Sequence, residues 1–282
     1  MPTEVTTCYR HPGVRAGVSC QRCDRPICPQ CMVQASVGFH CPECTKTGRQ
    51  RVYRGPAALA PSRPIVTQVL IGINVVVYVV GLGLSGANDL TRRGGLVGEG
   101  TFDGINVVGV AAGEWYRIVT SGFLHADLLH LAFNMFMLWV LGSMLEPSMG
   151  KGPFLVTYAM SLIAGSLGVL VLDPNVVTVG ASGAVFGLMG AAIIGQKANG
   201  ISPWHSGIGG LLVINLALTF IVPGISIGGH VGGLLGGMAA GAILILGRRR
   251  LPSEAAAVAI CVALTVGMAW ACVAVANAHA GA

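Results

Sequence analysis

The sequence predicts an all-α polytopic membrane protein with a small cysteine-rich unit ahead of its first span. Three observations carry this. Of 282 residues, 53% are hydrophobic and 10% charged, with a mean hydropathy of +0.72, whereas ordinary soluble domains carry roughly 25% charged residues. The chain holds several uncharged apolar runs of the ~20 residues that cross a bilayer core. Seven of its nine cysteines fall within the first 44 residues.

Those cysteines are spaced as Cys8-x2-His11, Cys20-x2-Cys23, Cys28-x2-Cys31 and Cys41-x2-Cys44. A two-residue spacer turns both side chains of a knuckle toward one tetrahedral ion. Two pairs close one site, so the eight ligands suit two structural zinc ions. The competing reading, a disulfide framework, requires an oxidising compartment and gives His11 no role. Interleaved pairing, first with third and second with fourth, is the expected arrangement; it resembles B-box and RING-like fingers. His40, beside Cys41, is an alternative ligand. So short a segment, poor in large apolar residues, draws its folding energy from metal. With no open coordination position it reads as a structural or docking module, and a cytosolic partner is its natural target. We expect the module over 1–48 and a basic linker over 49–63.

The spans follow in order. The first runs from Ile65 to Asn88, the second from Leu128 to Leu145 with one histidine tolerated, the third from Gly152 to Leu172, the fourth from Pro174 to Gln196. No charge stands between Lys197 and Arg248, a stretch too long for one helix, and Pro223-Gly224 divides it into a fifth and a sixth. Ala255 onward is the seventh. No secretory signal peptide is expected, because the first apolar run starts only after residue 64 and is too long for an h-region. Lys46, Arg49, Arg51, Arg54 and Arg63, with no acid among them, place the N terminus in the cytoplasm. Seven alternating spans then put Lys151, Lys197 and Arg248-Arg249-Arg250 on that same side, and the C terminus outside, in the plasma membrane. These flanks account for the net charge of +6. No folded basic face is visible, so nucleic acid is excluded as a partner.

Polar residues inside spans are costly and need a partner or a role. The second span carries His125, His130 and Asn134, the last two four apart and so on one helix face. Ser182 begins the fourth helix after "TVGA", and His230 stands near the start of the sixth. Spans two, four and six run in the same direction, so His130, Ser182 and His230 share a depth near the outer face. Gly183, Gly187 and Gly190 on the fourth span and Gly233, Gly237 and Gly241 on the sixth allow close backbone approach. A serine beside a neutral histidine is the minimum for nucleophilic attack on a carbonyl. The N–H groups at the start of the fourth helix favour an oxyanion there, and His130 and Asn134 add donors. No acid is placed against the base, although Asp127 and Asp173 stand at span ends. The plainer readings are a serine bonded to its own helix, a His-Asn pair joining helices, and glycines that only pack. A transporter pathway would show internal repeats or ionisable groups at the midplane, and neither is evident.

Four motifs, in order, carry a resemblance to the rhomboid family of intramembrane serine proteases over residues 64 to about 250: "GEWYRIVTSGFLH" with Trp115 and Arg117, "HLAFN", "GASG" and "GGHVGG". The resemblance implies a six-helix core over 64–250, with Ser182 as nucleophile and His230 as general base in a dyad without Asp. It implies an oxyanion hole of His130, Asn134 and the Ser182 backbone N–H, with Gly180 in the loop before the nucleophile. The loop 87–122 would be partly embedded and the fifth helix a lateral gate. Phe186 stands where several members carry Tyr, so an aromatic against the base is kept without the hydroxyl. The substrates implied are single-pass transmembrane proteins in the lipid bilayer, cut near the outer face. A client-binding scaffold without catalysis is the alternative. The seventh span, 251–282, and the cysteine module lie outside the resemblance.

Overall fold

The computed structural model describes residues 6–35, 38–47, 63–84, 87–101, 107–247 and 250–281. Contacts divide the chain into two units, Met1–Pro61 and Ser62–Ala282. Apart from Arg63, the expected linker over 49–63 lies outside the described residues, as do Arg248 and Arg249.

In the first unit, β1 (Val18–Ser19) pairs antiparallel with β2 (Pro26–Ile27), placing Val18 opposite Ile27. Strands β3 (Val33–Gln34) and β4 (Phe39–His40) form a second ribbon with Val33 opposite His40, followed by α1 (Pro42–Thr47). Two-stranded ribbons are marginal alone. Among the described residues, Ile27 is the one fully buried large hydrophobic that is not a cysteine, so the thiols are the core.

The second unit is helical. Its first long helix, α2 (Ile65–Leu84), ends before the expected Asn88. The polar α3 (Ala87–Gly94) follows, with Arg93 paired to Asp89 at 2.8 Å. A short ribbon, β5 (Gly100–Thr101) with β6 (Val107–Val108), leads to the single turn α4 (Arg117–Thr120). Then come α5 (Leu128–Met149), α6 (Lys151–Leu172), α7 (Ser182–Ala198), α8 (Ile208–Ile221) and α9 (Ile227–Gly241), the last continued by a π turn over Ala242–Leu246. Helix α10 (Glu254–Ala280) is the additional C-terminal span. It buries Ala257, Cys261, Cys272 and Ala276, and Cys272 lies against the Ile163 carbonyl of α6.

Among the described residues, five helices are long and apolar enough to cross a membrane, and Ile208–Ile221 is a shorter apolar one. The chain is thus a polytopic helical membrane protein, and it departs from expectation most at the fourth span. The fourth span does not start at Pro174: residues 174–181 are not helical, and α7 has only 17 residues. Thr178 instead pairs with Leu96 through backbone bonds of 2.8 and 2.9 Å. Irregular backbone at such depth is tolerated where it lines a cavity. Helix α7 stands in the middle of the bundle, with Ala184 to Ala192 buried on every side.

Small residues set the spacing around α7. A Cβ at Gly233 would fall on the backbone of Gly183, and one at Gly237 on that of Gly187. On the other side of α9, a Cβ at Gly228 would fall on the Gly168 carbonyl of α6. At the far end of α5, buried Glu146 caps α2: its carboxylate accepts from Val66 N–H at 2.9 Å, Thr67 N–H at 2.8 Å and the Thr67 hydroxyl at 2.8 Å. Two of the amides that a helix start leaves unpaired, and one hydroxyl, are satisfied by this carboxylate.

Candidate active site

The starts of α5, α7 and α9 meet around one cavity of about 670 Å³, lined by His130, Asn134, Gly180, Ser182, Phe186 and His230 among others. Each functional side chain lies in the first turn or two of its helix, and each start is built locally. Asp127 caps α5 by accepting from the His130 N–H at 2.8 Å. Ser226 caps α9 by accepting from Gly229 N–H at 3.0 Å. Ser182 is the first residue of α7, half-buried, so its own N–H is one of the donors a helix start leaves unpaired.

Gly180 positions the loop before it. Its φ of +128° is one that side chains rarely adopt, and its N–H donates to the Ser121 carbonyl at 2.9 Å. A Cβ there would stand 2.8 Å from His130 Nε2 and 3.7 Å from Ser182 Oγ. The imidazole edge and the hydroxyl therefore face the same small space, which glycine keeps open. Asn134 donates one amide hydrogen to the His130 carbonyl at 3.0 Å and has a second to offer.

His230 is held from two directions. Phe186 stacks on it with ring centroids 4.0 Å apart and 20° between planes. The Thr219 hydroxyl lies 2.6 Å from its Nδ1. The hydrogen bonds of the described residues include none between Ser182 and His230; the two groups share the cavity. Catalytic hydrogen bonds in substrate-free sites are often long and tighten on binding. Neither span-end acid partners His230. Asp127 caps α5 and Asp173 is the terminal residue after α6. His125 is buried edge-on to His130, centroids 5.1 Å apart, and neither ring nitrogen has a hydrogen-bond partner among the described residues.

The loop before α5 is braced by Arg117, 2% exposed. It donates to Glu114 at 2.7 Å and to the carbonyls of Arg92 and Gly95 at 2.8 and 2.7 Å. Burial pushes the Glu114 carboxyl up. The Arg117 guanidinium, the Gly109 N–H and the Tyr116 hydroxyl outweigh that and hold it below its ordinary range. Trp115 is 61% exposed.

Sequence reasoning missed Thr219, Asn215 and Glu146. The first two had a signal: polar residues four apart in "NLALT" on an otherwise apolar span, the same spacing as His130 and Asn134.

In the first unit, the potential ligands gather in two sets, Cys8, His11, Cys28 and Cys31, and Cys20, Cys23, Cys41 and Cys44, with donor atoms in each set within 4.8 Å of one another. His40 belongs to neither. Tetrahedral zinc with bonds of about 2.3 Å to sulfur sets neighbouring sulfurs about 3.8 Å apart. Cys23 and Cys41 Sγ are 3.8 Å apart, and His11 Nδ1 lies 3.4 Å from both Cys28 and Cys31 Sγ. A disulfide would need about 2.05 Å, and none joins the described cysteines. Burial pushes the Cys8 thiol up, but backbone N–H groups of Arg10, Cys28 and His11 outweigh it and hold it down to about 6. Cys31, buried against Cys8 and Cys28, is pushed up to about 11. Burial is the first cause of that rise, and the neighbouring Cys28 and Cys8 thiols add to it; a shared cation would favour the thiolate form instead.

The sequence pattern described as the Rhomboid domain matches residues 112–247, within the helical unit. The chain is 39% identical over 138 residues to the rhomboid protease GluP of Bacillus subtilis (strain 168), a match covering 48% of this chain and 27% of that protein. It is 39% identical over 147 residues to the rhomboid relative YdcA of the same organism, covering 49% of this chain and 70% of that one. It is also 34% identical over 143 residues to the mitochondrial RHOMBOID-like protein 6 of Arabidopsis thaliana, covering 49% of this chain and 46% of that protein. With most of YdcA matched at this identity, the chain belongs to the rhomboid family.

Proposed function

We propose that the chain is an intramembrane serine endopeptidase that cleaves transmembrane segments of single-pass membrane proteins through Ser182 and His230. One observation carries the reading: the serine and the histidine, on different helices, line the same cavity as His130, Asn134 and Gly180. In this reading Ser182 Oγ attacks the scissile carbonyl as His230 takes the hydroxyl proton. The same ring then protonates the leaving amine, and water repeats the sequence on the acyl-enzyme. The Ser182 N–H, Asn134 Nδ2 and His130 Nε2 are the donors for the oxyanion. Placing this chemistry near the outer face of the plasma membrane, with a cytoplasmic N terminus and an external C terminus, rests on the basic flanks. Substrate segments rich in small or helix-breaking residues suit the site, because an intact helix protects its carbonyls by hydrogen bonding.

The two sulfur-rich sets suit two zinc ions, which when bound would supply folding energy to a unit whose core is its thiols. The cysteines and His11 are the ligands in this reading, and the module serves to dock a cytosolic partner.

The test is reconstitution of the full chain with a panel of tagged transmembrane segments, comparing wild type with Ser182→Ala. Cleavage by wild type alone is the expected result. Equal cleavage by both points to another nucleophile, and binding of the segments without cleavage by either points to the client-binding scaffold.

A further inference from the structure

We propose that Thr219 is the positioning residue of the catalytic pair, holding His230 in the one tautomer that leaves Nε2 free to receive the Ser182 proton. The inference rests on the reading of these two residues as nucleophile and base. Two contacts of one hydroxyl carry it. Thr219 Oγ1 lies 2.8 Å from the carbonyl oxygen of Asn215 one turn earlier on α8, and 2.6 Å from His230 Nδ1 on α9. A carbonyl oxygen only accepts, and a hydroxyl has one hydrogen to give. That hydrogen is committed to Asn215, so the Thr219 oxygen meets His230 as an acceptor and Nδ1 carries the N–H. A neutral imidazole protonated at Nδ1 has its lone pair at Nε2.

The surroundings keep this arrangement in force. Thr219 is 2% and His230 8% exposed, so water competes little for either contact. Asn215 is tied to the same helix by its side-chain amide, which donates to the Leu211 carbonyl at 2.8 Å. Phe186 fixes the plane of the imidazole by stacking, and Thr219 fixes its rotation within that plane.

In a Ser-His-Asp triad the carboxylate sets the tautomer and also stabilises the imidazolium. Thr219 performs the first task without placing a charge among apolar helices, where a carboxylate is costly. The proton count is simple. As the bond from Ser182 Oγ to the carbonyl carbon forms, its hydrogen moves to Nε2, and it leaves from Nε2 to the amine nitrogen as the peptide bond breaks. The other hydrogen stays on Nδ1 throughout, donated to Thr219 Oγ1 in a bond that strengthens while the ring is positive.

The experiment uses full-length protein with ¹⁵N-labelled histidine in detergent micelles, reading long-range ¹H–¹⁵N correlations, with His230 assigned by loss of its signals in His230→Ala. Wild type and Thr219→Ser should show His230 protonated at Nδ1. Thr219→Val, which keeps the shape but removes the acceptor, should show mixed tautomers and a kcat lower by about tenfold to a hundredfold, the scale of leaving one buried N–H unpaired. KM should stay unchanged, and Thr219→Ser should retain activity to within about threefold. Protonation at Nε2 in the wild type would overturn the proposal, as would a Val variant with unchanged tautomer and full kcat. Should no segment be cleaved by wild type beyond the Ser182→Ala background, the functional reading fails, while the tautomer spectrum still decides the role of Thr219.

Discussion

Replacing Gly237 with alanine should weaken both the fold and the chemistry, although the residue touches no reacting atom. A Cβ at this position would overlap the carbonyl oxygen, carbonyl carbon and Cα of Gly187. Backbone stands on both sides, so no side chain can rotate away, and α7 and α9 must part by on the order of 1 Å to restore ordinary contact. Overpacking a tight core costs about 1–3 kcal/mol, and backbone against backbone belongs at the upper end. Alanine recovers about 1 kcal/mol of helix propensity over glycine, leaving a net loss of about 2 kcal/mol. Gly72, on α2, has nothing within 4 Å of its would-be Cβ, so Gly72→Ala gains the propensity alone. The two variants should therefore differ by about 3 kcal/mol in chemical unfolding followed by circular dichroism in micelles. Since Gly233, one turn nearer the site, bears on Gly183 beside Ser182, the displacement reaches the proposed Ser182–His230 pair. A misplacement of about 1 Å costs roughly a hundredfold in rate. Equal stability of the two variants, or full cleavage activity in Gly237→Ala, would refute the claim that this seam sets the geometry.

Other consequences are as direct. Full-length protein should hold two zinc ions per chain by native mass spectrometry; a metal-free chain with disulfides in residues 8–44 would contradict the ligand sets. Glu114, whose folded carboxyl is held low, contributes stability that is present above its unfolded pKa of about 4.3 and lost as pH falls through the lower folded value. Hydrogen exchange in residues 107–118 should therefore rise below about pH 4, and Glu114→Gln should remove that dependence. Arg117→Lys cannot reach one carboxylate and two carbonyls together, and it should cost about 1–3 kcal/mol in thermal unfolding; an unchanged melting temperature would count against the brace. Phe186→Leu removes a ring stack worth about 0.5–1.5 kcal/mol and should lower kcat by about twofold to tenfold, whereas Phe186→Tyr should retain it.

Much of this molecule can be read from its residues because charge is so scarce in it. Uncharged runs mark the helices, and the few polar groups within them, His130, Asn134, Ser182 and His230, prove to line one cavity. Hydropathy failed at Pro174, because a loop that lines a cavity inside a bundle is as apolar as a helix; only the pairing of Thr178 with Leu96 separates them. The end of the first span was misplaced for a related reason: the uncharged run continues to Asn88, whereas Ala87 and Asn88 already belong to the polar helix α3. Glu146 was passed over because an acid at a span end looks solvated, whereas here it caps another helix across the bundle. Thr219 was passed over because a threonine within an apolar span usually bonds its own helix. It does so, and the spare lone pair faces His230. The knuckle spacing indicated two sets of four ligands without fixing their pairing, which depends on how the two ribbons fold together.

The most direct measurement is covalent labelling of the intact protein by a fluorophosphonate, followed by peptide mass spectrometry. If Ser182 is a nucleophile activated by His230, the phosphonate should be found on Ser182 in wild type and lost in His230→Ala. Modification of a different residue, or of Ser182 at the same rate without the imidazole, would contradict the account.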